Sequence, residues 1–396
     1  MQKKIHIIII AGEPSADMHG ATLAQELKTH APQIEISGIG SERMRKAGVN
    51  IFADLSPYAV IGFIEIIKHI SIFKNIFELT LQKIKILQPQ AVILIDFPGF
   101  NLRLAKRIKK DFPQIKVIYY ISPQIWAWGK KRIGLIKEVV DKMLVVFEFE
   151  QQLYQAKGID SAFVGHPLLE TVKCELKKDV ILTKLKSNPQ DKIIALLPGS
   201  RQEEIKKILP VMLKSAEIFL SKMPDTKFVL LRAANIKKGL IENMLHKYPH
   251  LTIAVCDKNS YDALSISFFA WVCSGTATLE TAILGIPMLI VYKTSFFTWF
   301  ISRLLIKLPY IGLVNVVAGE KIVSEFVQYE ANPKNIVKCT LGFFLKSKKL
   351  QDDFRQKLNM VREKLGKDNA NEKAAKVILE VIKESRSLPH CHPDPL

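Results

Sequence analysis

Apolar residues in the first half of the chain gather into short unbroken runs, separated by longer stretches in which apolar and polar positions recur with helical spacing. The runs are Ile5–Ala11, Glu35–Ile39, Ala91–Ile95, Lys116–Ile121 and Lys142–Phe147. Each has the length of a strand, is rich in Ile and Val, and is apolar almost throughout, as a strand covered on both faces must be. Between them, Ala21–His30, Ser71–Leu87 and Leu102–Asp111 predict helices. Such alternation predicts βαβ units and a parallel, doubly wound sheet.

The pattern breaks around Phe163-Val-Gly-His-Pro and passes through a lysine-rich, helix-like stretch to Asp191. It then restarts with Lys192–Leu197, Lys227–Leu231, Leu251–Val255, Phe268–Cys273 and Met288–Tyr292. The expected fold class is therefore α/β, with two Rossmann-like domains whose strand C-termini face an interdomain cleft. The expected boundaries are 1–166 and 167–365, followed by 366–396 as a C-terminal helix and a disordered tail packing back on the first domain.

Composition narrows the partners. With 57 basic against 38 acidic side chains the formal charge is +19, which calls for an anionic partner: nucleic acid, an anionic membrane or phosphorylated substrates. Five dispersed cysteines without C-x-x-C spacing argue against a disulfide framework and a structural zinc site. The opening MQKKIHIIIIAGE has basic residues before an apolar run, but Glu13 stands where a signal cleavage site needs small residues, so the segment predicts a buried first strand. No apolar stretch is long enough to span a bilayer. Tyr292–Tyr310 mixes aromatics, aliphatics and cations, which suits either an interfacial element or a buried helix hairpin, and Val60–Ile76 is a second stretch of the same kind.

Several turns at predicted strand ends carry candidate chemistry. The first, Ala11-Gly-Glu-Pro-Ser-Ala-Asp-Met-His-Gly20, lacks G-x-G-x-x-G spacing and so argues against a dinucleotide cofactor. It reads as a helix capped by Ser15 or Asp17, with Gly12 supplying conformational freedom, or as an acceptor-hydroxyl site built on Glu13. Asp96 directly follows an apolar strand, where desolvation raises a carboxylate toward the range of a useful base; a helix cap is the other reading. Ser122-Pro-Gln-Ile-Trp-Ala-Trp-Gly-Lys-Lys-Arg132 combines tryptophans with three consecutive cations, as either a phospholipid grip or a Trp-anchored turn.

In the second half, Leu196-Leu-Pro-Gly-Ser-Arg-Gln-Glu-Glu-Ile205 predicts a strand, a glycine turn and a helix start. Free amides there, beside Arg201, would suit a pyrophosphate. Cys273-Ser-Gly-Thr-Ala-Thr-Leu-Glu280 repeats the arrangement. Glu280 is placed either to accept ribose hydroxyls or to sit as an ordinary first-turn acid. Two phosphate-type turns in one domain point to function for the pair. There is no D-x-D and no His, Asp or Glu group with metal-ligand spacing, and His19 and His166 read as structural. A transferase built on these turns would neutralise a leaving diphosphate with helix dipoles and Arg201 rather than a metal.

These blocks, in this order, resemble lipid-A-disaccharide synthase: Glu13 with Ser15 and Asp17, Ile-Asp-Phe-Pro-Gly-Phe-Asn101, Ser-Pro-Gln-Ile-Trp126-Ala-Trp, Leu-Pro-Gly-Ser200-Arg, Ser-Gly275-Thr276-Ala277-Thr-Leu-Glu280 and Leu-Val-Asn315-Val-Val-Ala-Gly. The resemblance runs from about Ile5 to Ile382. It implies the glycosyltransferase B fold and an inverting transfer from UDP-2,3-diacylglucosamine to 2,3-diacylglucosamine 1-phosphate, giving a β(1→6) disaccharide and UDP. It further implies Asp96 as base, Arg201 as an essential arginine, and Glu280 and Asn315 on the nucleotide side. Glu13, Ser15, Asn101, Trp126, Ser200, Gly275, Thr276 and Ala277 complete the expected substrate-binding set. No cofactor, metal or nucleic acid is expected. The expected setting is the cytoplasm, on the inner face of the inner membrane against anionic lipid, with a homodimer as the assembly.

Two departures stand out: Ala16 replaces a glycine usual in the first turn, and Gly99 stands where an acid is frequent. The rival readings are another UDP-sugar transferase or epimerase of the same fold, and a basic nucleic-acid-binding protein. The first does not call for the apolar, cationic surface that acylated substrates explain. The second calls for clustered cations, whereas the lysines here are spread through both halves.

Overall fold

The computed structural model describes residues 5–55, 58, 70–127, 129, 132–294 and 309–387. Most of the two apolar, cationic stretches, at 59–69 and 295–308, falls outside them, as do Trp128, Lys130, Lys131 and the tail from Leu388. The chain divides into two compact units, Met1–Pro167 with Gly366–Leu396, and Leu168–Leu365.

The first unit is built on β1 (His6–Ala11), β2 (Glu35–Ile39), β3 (Asn50–Ala53), β4 (Ala91–Ile95), β5 (Lys116–Tyr120), β6 (Lys142–Val145) and β7 (Ser161–Phe163). Their order is β3-β2-β1-β4-β5-β6-β7, and every pairing is parallel. Ile7–Ala11 and Ala91–Ile95 are wholly buried at the centre of this sheet, so the opening apolar run is the core strand its composition predicts. The C-terminal helix Ala370–Ser387 belongs to this unit and packs on the helix Pro14–His30 and on β5. Tyr120 Oη donates to Asn371 Oδ1 at 3.1 Å across that contact.

The second unit contains β8 (Lys192–Leu197), β9 (Thr226–Leu231), β10 (Ile253–Cys256), β11 (Phe269–Cys273), β12 (Met288–Tyr292) and β13 (Ser324–Val327). Their order is β10-β9-β8-β11-β12-β13, again parallel throughout. Its core is aromatic: Trp271 is fully buried among Phe219 and Phe228, and its indole N–H is satisfied by Thr340 Oγ1 at 2.9 Å.

In each sheet the connections reverse direction once between central neighbours, between β1 and β4 and between β8 and β11. Such a reversal splays the loops at the strand C-termini and opens the crevice in which α/β sheets hold ligands. Asp96 and the Glu13 turn stand at the first reversal; Arg201 and the Ser274–Glu280 turn stand at the second.

Three strands carry no continuous apolar signature: β3, β7 and β13. All are edge strands of three or four residues with mixed burial, and an edge strand need not be apolar on both sides. The first helix begins at Pro14 rather than near Ala21. Its N-cap is Glu13 in an extended conformation, and Pro14 fits the first helical turn, where a missing N–H costs nothing. Ser15 is therefore an exposed position inside the helix, and the expected capping by Ser15 or Asp17 does not occur. Asp17 is buried and caps the next helix, Glu42–Lys46, accepting the backbone N–H groups of Ser41, Arg43 and Met44 at 2.5, 3.2 and 3.3 Å.

Candidate functional site

On the first unit, the turn after β4 is forced into an unusual path. Asp96 and Phe97 both have positive φ, +46° and +48°, a conformation that costs a non-glycine residue about 1–3 kcal/mol and persists only where surroundings over-determine it. Here they do. The Asp96 carbonyl accepts Asn101 Nδ2 at 2.7 Å and Tyr119 Oη at 2.5 Å, Asn101 Nδ2 also donates to the Ile95 carbonyl at 3.2 Å, and the Asp96 N–H donates to the Tyr120 carbonyl at 3.2 Å. Pro98 then starts the helix Pro98–Asp111. Burial raises the Asp96 carboxyl above the usual carboxylate range, with the Phe97 amide pulling the other way.

The Glu13 turn packs against this one. Gly12 is not in a left-handed conformation; it is small because a Cβ would meet the Phe97 ring at 2.6 Å. Phe97 in turn stacks on Phe100 at 6.0 Å. Beyond β5, the Trp126 indole N–H donates to Glu150 Oε1 at 2.9 Å, so this tryptophan anchors a turn. Glu150 is 1 % exposed, and burial pushes its pKa up to about 7 against the opposing effect of hydrogen bonds from Trp126 and then Ser122. An acid in a helix beginning Glu-Phe-Glu gave no sign of this burial in the sequence. His19 and His166 are both kept neutral: burial, then Arg43, lowers His19 to about 4, and burial, then His19, lowers His166 to about 3.

On the second unit, a pocket of about 260 Å³ lies over the ends of β8, β9 and β11. It brings together Ser200, Arg201, Gly275, Thr276, Ala277 and Glu280, six residues drawn from two turns far apart in the chain. Arg232, Tyr261 and Cys273 line it as well and were not anticipated. Burial raises the Glu280 carboxyl, opposed by a hydrogen bond from Tyr261. The Ser200 and Arg201 amides are not free, as the glycine-turn reading required: both donate to Glu204 Oε2, at 3.1 and 3.2 Å. The S-x-x-E spacing of Ser200 and Glu203 hints at such a cap one residue too early.

Two residues of the expected substrate-binding set have buried side chains that hydrogen-bond to neighbouring backbone. Asn101 is fully buried, with its Nδ2 donating to the Ile95 and Asp96 carbonyls. Asn315 is also fully buried. Its Nδ2 donates to the Val323 carbonyl at 2.9 Å and to Glu325 Oε1 at 2.7 Å, and its Oδ1 accepts the Ile322 and Val323 amides. Both side chains brace loops.

The likeness to known proteins agrees with this geometry. The sequence profile of the family described as Lipid-A-disaccharide synthetase matches residues 7–381. The chain is 38 % identical to "Lipid-A-disaccharide synthase" of Geobacter sulfurreducens over 95 % of this chain and 97 % of that one. It is 41 % identical to "Lipid-A-disaccharide synthase 1" of Legionella pneumophila strain Lens, over 84 % and 86 %. The chain belongs to the lipid-A-disaccharide synthase family. Membership carries the role in lipid A disaccharide synthesis, a glycosyl transfer. Among solved structures, the UDP complex of MnaA from S. aureus aligns with a TM-score of 0.65 at 13 % identity over 99 % and 100 % of the two chains. UDP-GlcNAc 2-epimerase from Neisseria meningitidis aligns at 0.64 and 14 % over 95 % and 100 %. At such identity the likeness is one of fold, glycosyltransferase B-like with two parallel sheets.

Within the lipid-A-disaccharide synthase family the two departures of this chain cause no disturbance. Ala16 is 1 % exposed inside the first helix, which accommodates its methyl group. Gly99 is exposed and a Cβ there would touch nothing within 4 Å, so an acid at this position would stand in solvent beside the Asp96 turn. Among the described residues no three of His, Cys, Asp and Glu gather as metal ligands, and no helix is long and apolar enough to cross a membrane.

Proposed function

We propose that this chain transfers 2,3-diacylglucosamine from its UDP conjugate to O6 of 2,3-diacylglucosamine 1-phosphate, with inversion. The observations that carry the reading are a half-buried carboxyl, raised by desolvation, at the reversal of the first sheet and, on the second unit, a pocket lined by Arg201 and the 275–277 turn. Asp96 takes the proton from the acceptor hydroxyl as that oxygen bonds to the anomeric carbon. The bond from that carbon to the diphosphate breaks, and UDP leaves with its negative charge, neutralised by Arg201 and by the amide dipoles of the 275–277 turn. With those donors in place the leaving group requires no metal ion. Glu280 accepts the ribose hydroxyls, Glu13 and Ser15 line the acceptor side, and Trp126 supports it.

The phosphate and diphosphate groups of the substrates and an anionic lipid surface complement the +19 charge, and the reading includes peripheral binding to an anionic membrane on its cytoplasmic face, with a homodimer as the assembly. Incubation with both acylated sugars, followed by mass spectrometry, tests the reaction: the disaccharide 1-phosphate is expected, and its absence with free glucosamine-derived products instead would refute it. Co-sedimentation with anionic vesicles, reversed by salt, tests the membrane assignment.

A further inference from the structure

The turn after β8 holds an acid that the proposed chemistry does not use. Glu204 lies in the first turn of the helix Gln202–Leu220, and its carboxylate folds back over Gly199. Oε2 accepts the Ser200 and Arg201 amides at 3.1 and 3.2 Å, and Arg201 Nη1 donates to Oε1 at 3.4 Å. Gly199 lets the carboxylate in: its φ is +116°, and a Cβ there would stand 2.5 Å from Oε2. The Glu204 side chain is 18 % exposed against 79 % for Arg201, so the acid is held while the guanidinium reaches into solvent. The neighbouring Cys273 thiol is pushed up, by burial first and then by the Glu204 charge. Gly199, Ser200, Arg201, Glu204 and Cys273 all line the same pocket.

A carboxylate seated on two amides and a guanidinium has the partners that a phosphate group would choose. We propose that Glu204 is a built-in anion, and that a nucleoside diphosphate binds by exchange, drawing the Arg201 guanidinium off Glu204 while the carboxylate keeps the two amides. The inference rests on reading this pocket as the UDP site. Before binding, Glu204 neutralises Arg201. Afterwards it faces the diphosphate as a like charge and weakens its hold, so that affinity for the nucleotide product is set by the difference between the two. Across a solvated pocket, a unit charge several ångströms from a diphosphate is worth about three- to tenfold in affinity.

The test is calorimetric titration of UDP and uridine into the wild type, Glu204→Gln and Arg201→Ala, at two salt concentrations. Glutamine is itself a capping-box residue and can accept the same amides, so the turn is retained. Glu204→Gln is expected to bind UDP about three- to tenfold tighter, with steeper salt dependence and unchanged uridine binding. Loss of a helix cap would not separate UDP from uridine in this way. Equal or weaker UDP binding by Glu204→Gln overturns the exchange. A melting temperature far below the wild type does so too, because the carboxylate would then be a structural necessity. A wild type that fails to bind UDP refutes the pocket reading itself. Binding that Arg201→Ala weakens and Glu204→Gln does not strengthen refutes the exchange alone.

Discussion

The turn that carries Asp96 and the turn that carries Arg201 start alike, each at the end of a central parallel strand, and are then built in opposite ways. Around Asp96 the chain is held from all sides: two consecutive left-handed residues, three hydrogen bonds onto two carbonyls, and aromatic rings packed beneath. Around Arg201 the turn is held by Glu204 on two amides and by Asn235 Nδ2 donating to the Ser200 carbonyl at 2.8 Å, and the functional side chain is 79 % exposed. The difference fits the work proposed for each. A base gains from desolvation, which shifts its proton affinity, and desolvation requires burial. A guanidinium that must follow a diphosphate as it arrives and leaves gains from reach, and its charge needs no tuning.

Substitutions at the two turns should therefore fail differently. Asp96→Asn keeps the shape but cannot take a proton, and turnover should fall about 10²–10⁴-fold with UDP affinity little changed. Because burial raises the Asp96 pKa, wild-type kcat/KM should fall as pH drops through a value above the usual carboxylate range, where the base becomes protonated. Near-normal turnover of Asp96→Asn would remove this role, and Glu13 would be the next candidate.

Arg201→Ala should leave the fold intact, since so little of the side chain is packed, yet cost about 2–4 kcal/mol in transition-state and UDP binding. Wild-type UDP affinity by calorimetry would break the comparison on the donor side.

Glu150 tests whether burial on the first unit is as consequential for an acid outside the chemistry. Its carboxyl is ordinarily near 4.5 and is raised to about 7 in the fold, so the folded state binds the extra proton. Stability from this group is complete below pH 4.5 and is lost as pH rises through 7, by about 3 kcal/mol. Glu150→Gln should flatten the fall in melting temperature between pH 5 and pH 8, and an unchanged slope would show that Glu150 is ionised throughout.

The smallest effect is expected at Asn101, whose substitution by Ala removes donors from two buried carbonyls and should cost about 1–3 kcal/mol of stability. If Asn101 acts only through the Asp96 turn, kcat should fall while UDP affinity holds. A Kd for UDP that shifts with kcat would place Asn101 elsewhere.

The central strands were legible because they are covered on both faces and must be apolar along their whole length, as in Ile7–Ala11, Ala91–Ile95 and Phe269–Cys273. The edge strands β3, β7 and β13 obey no such rule. Asp96 and Arg201 were legible for a related reason: each is the first strongly polar side chain after, or one short turn beyond, a buried strand. The roles of Asn101, Asn315, Asp17 and Glu150 were not, since their partners are backbone groups or side chains brought close only by folding.

Taken alone, the order of residues determined the alternation of strand and helix, the two parallel sheets, the turns that end their central strands and the family to which the chain belongs. Those features depend on local composition and spacing, which are read directly along a chain. Only the tertiary structure decided which polar groups remain open to a ligand. It joined the Ser200 and Ser274 turns into one pocket, gave the amides of the first to Glu204, and closed Asn101 and Asn315 inside their loops. A hydrogen-bond donor or acceptor is spent by whichever partner lies within about 3 Å of it, and that neighbour is set by how strands are ordered and turns are packed, which local sequence does not encode.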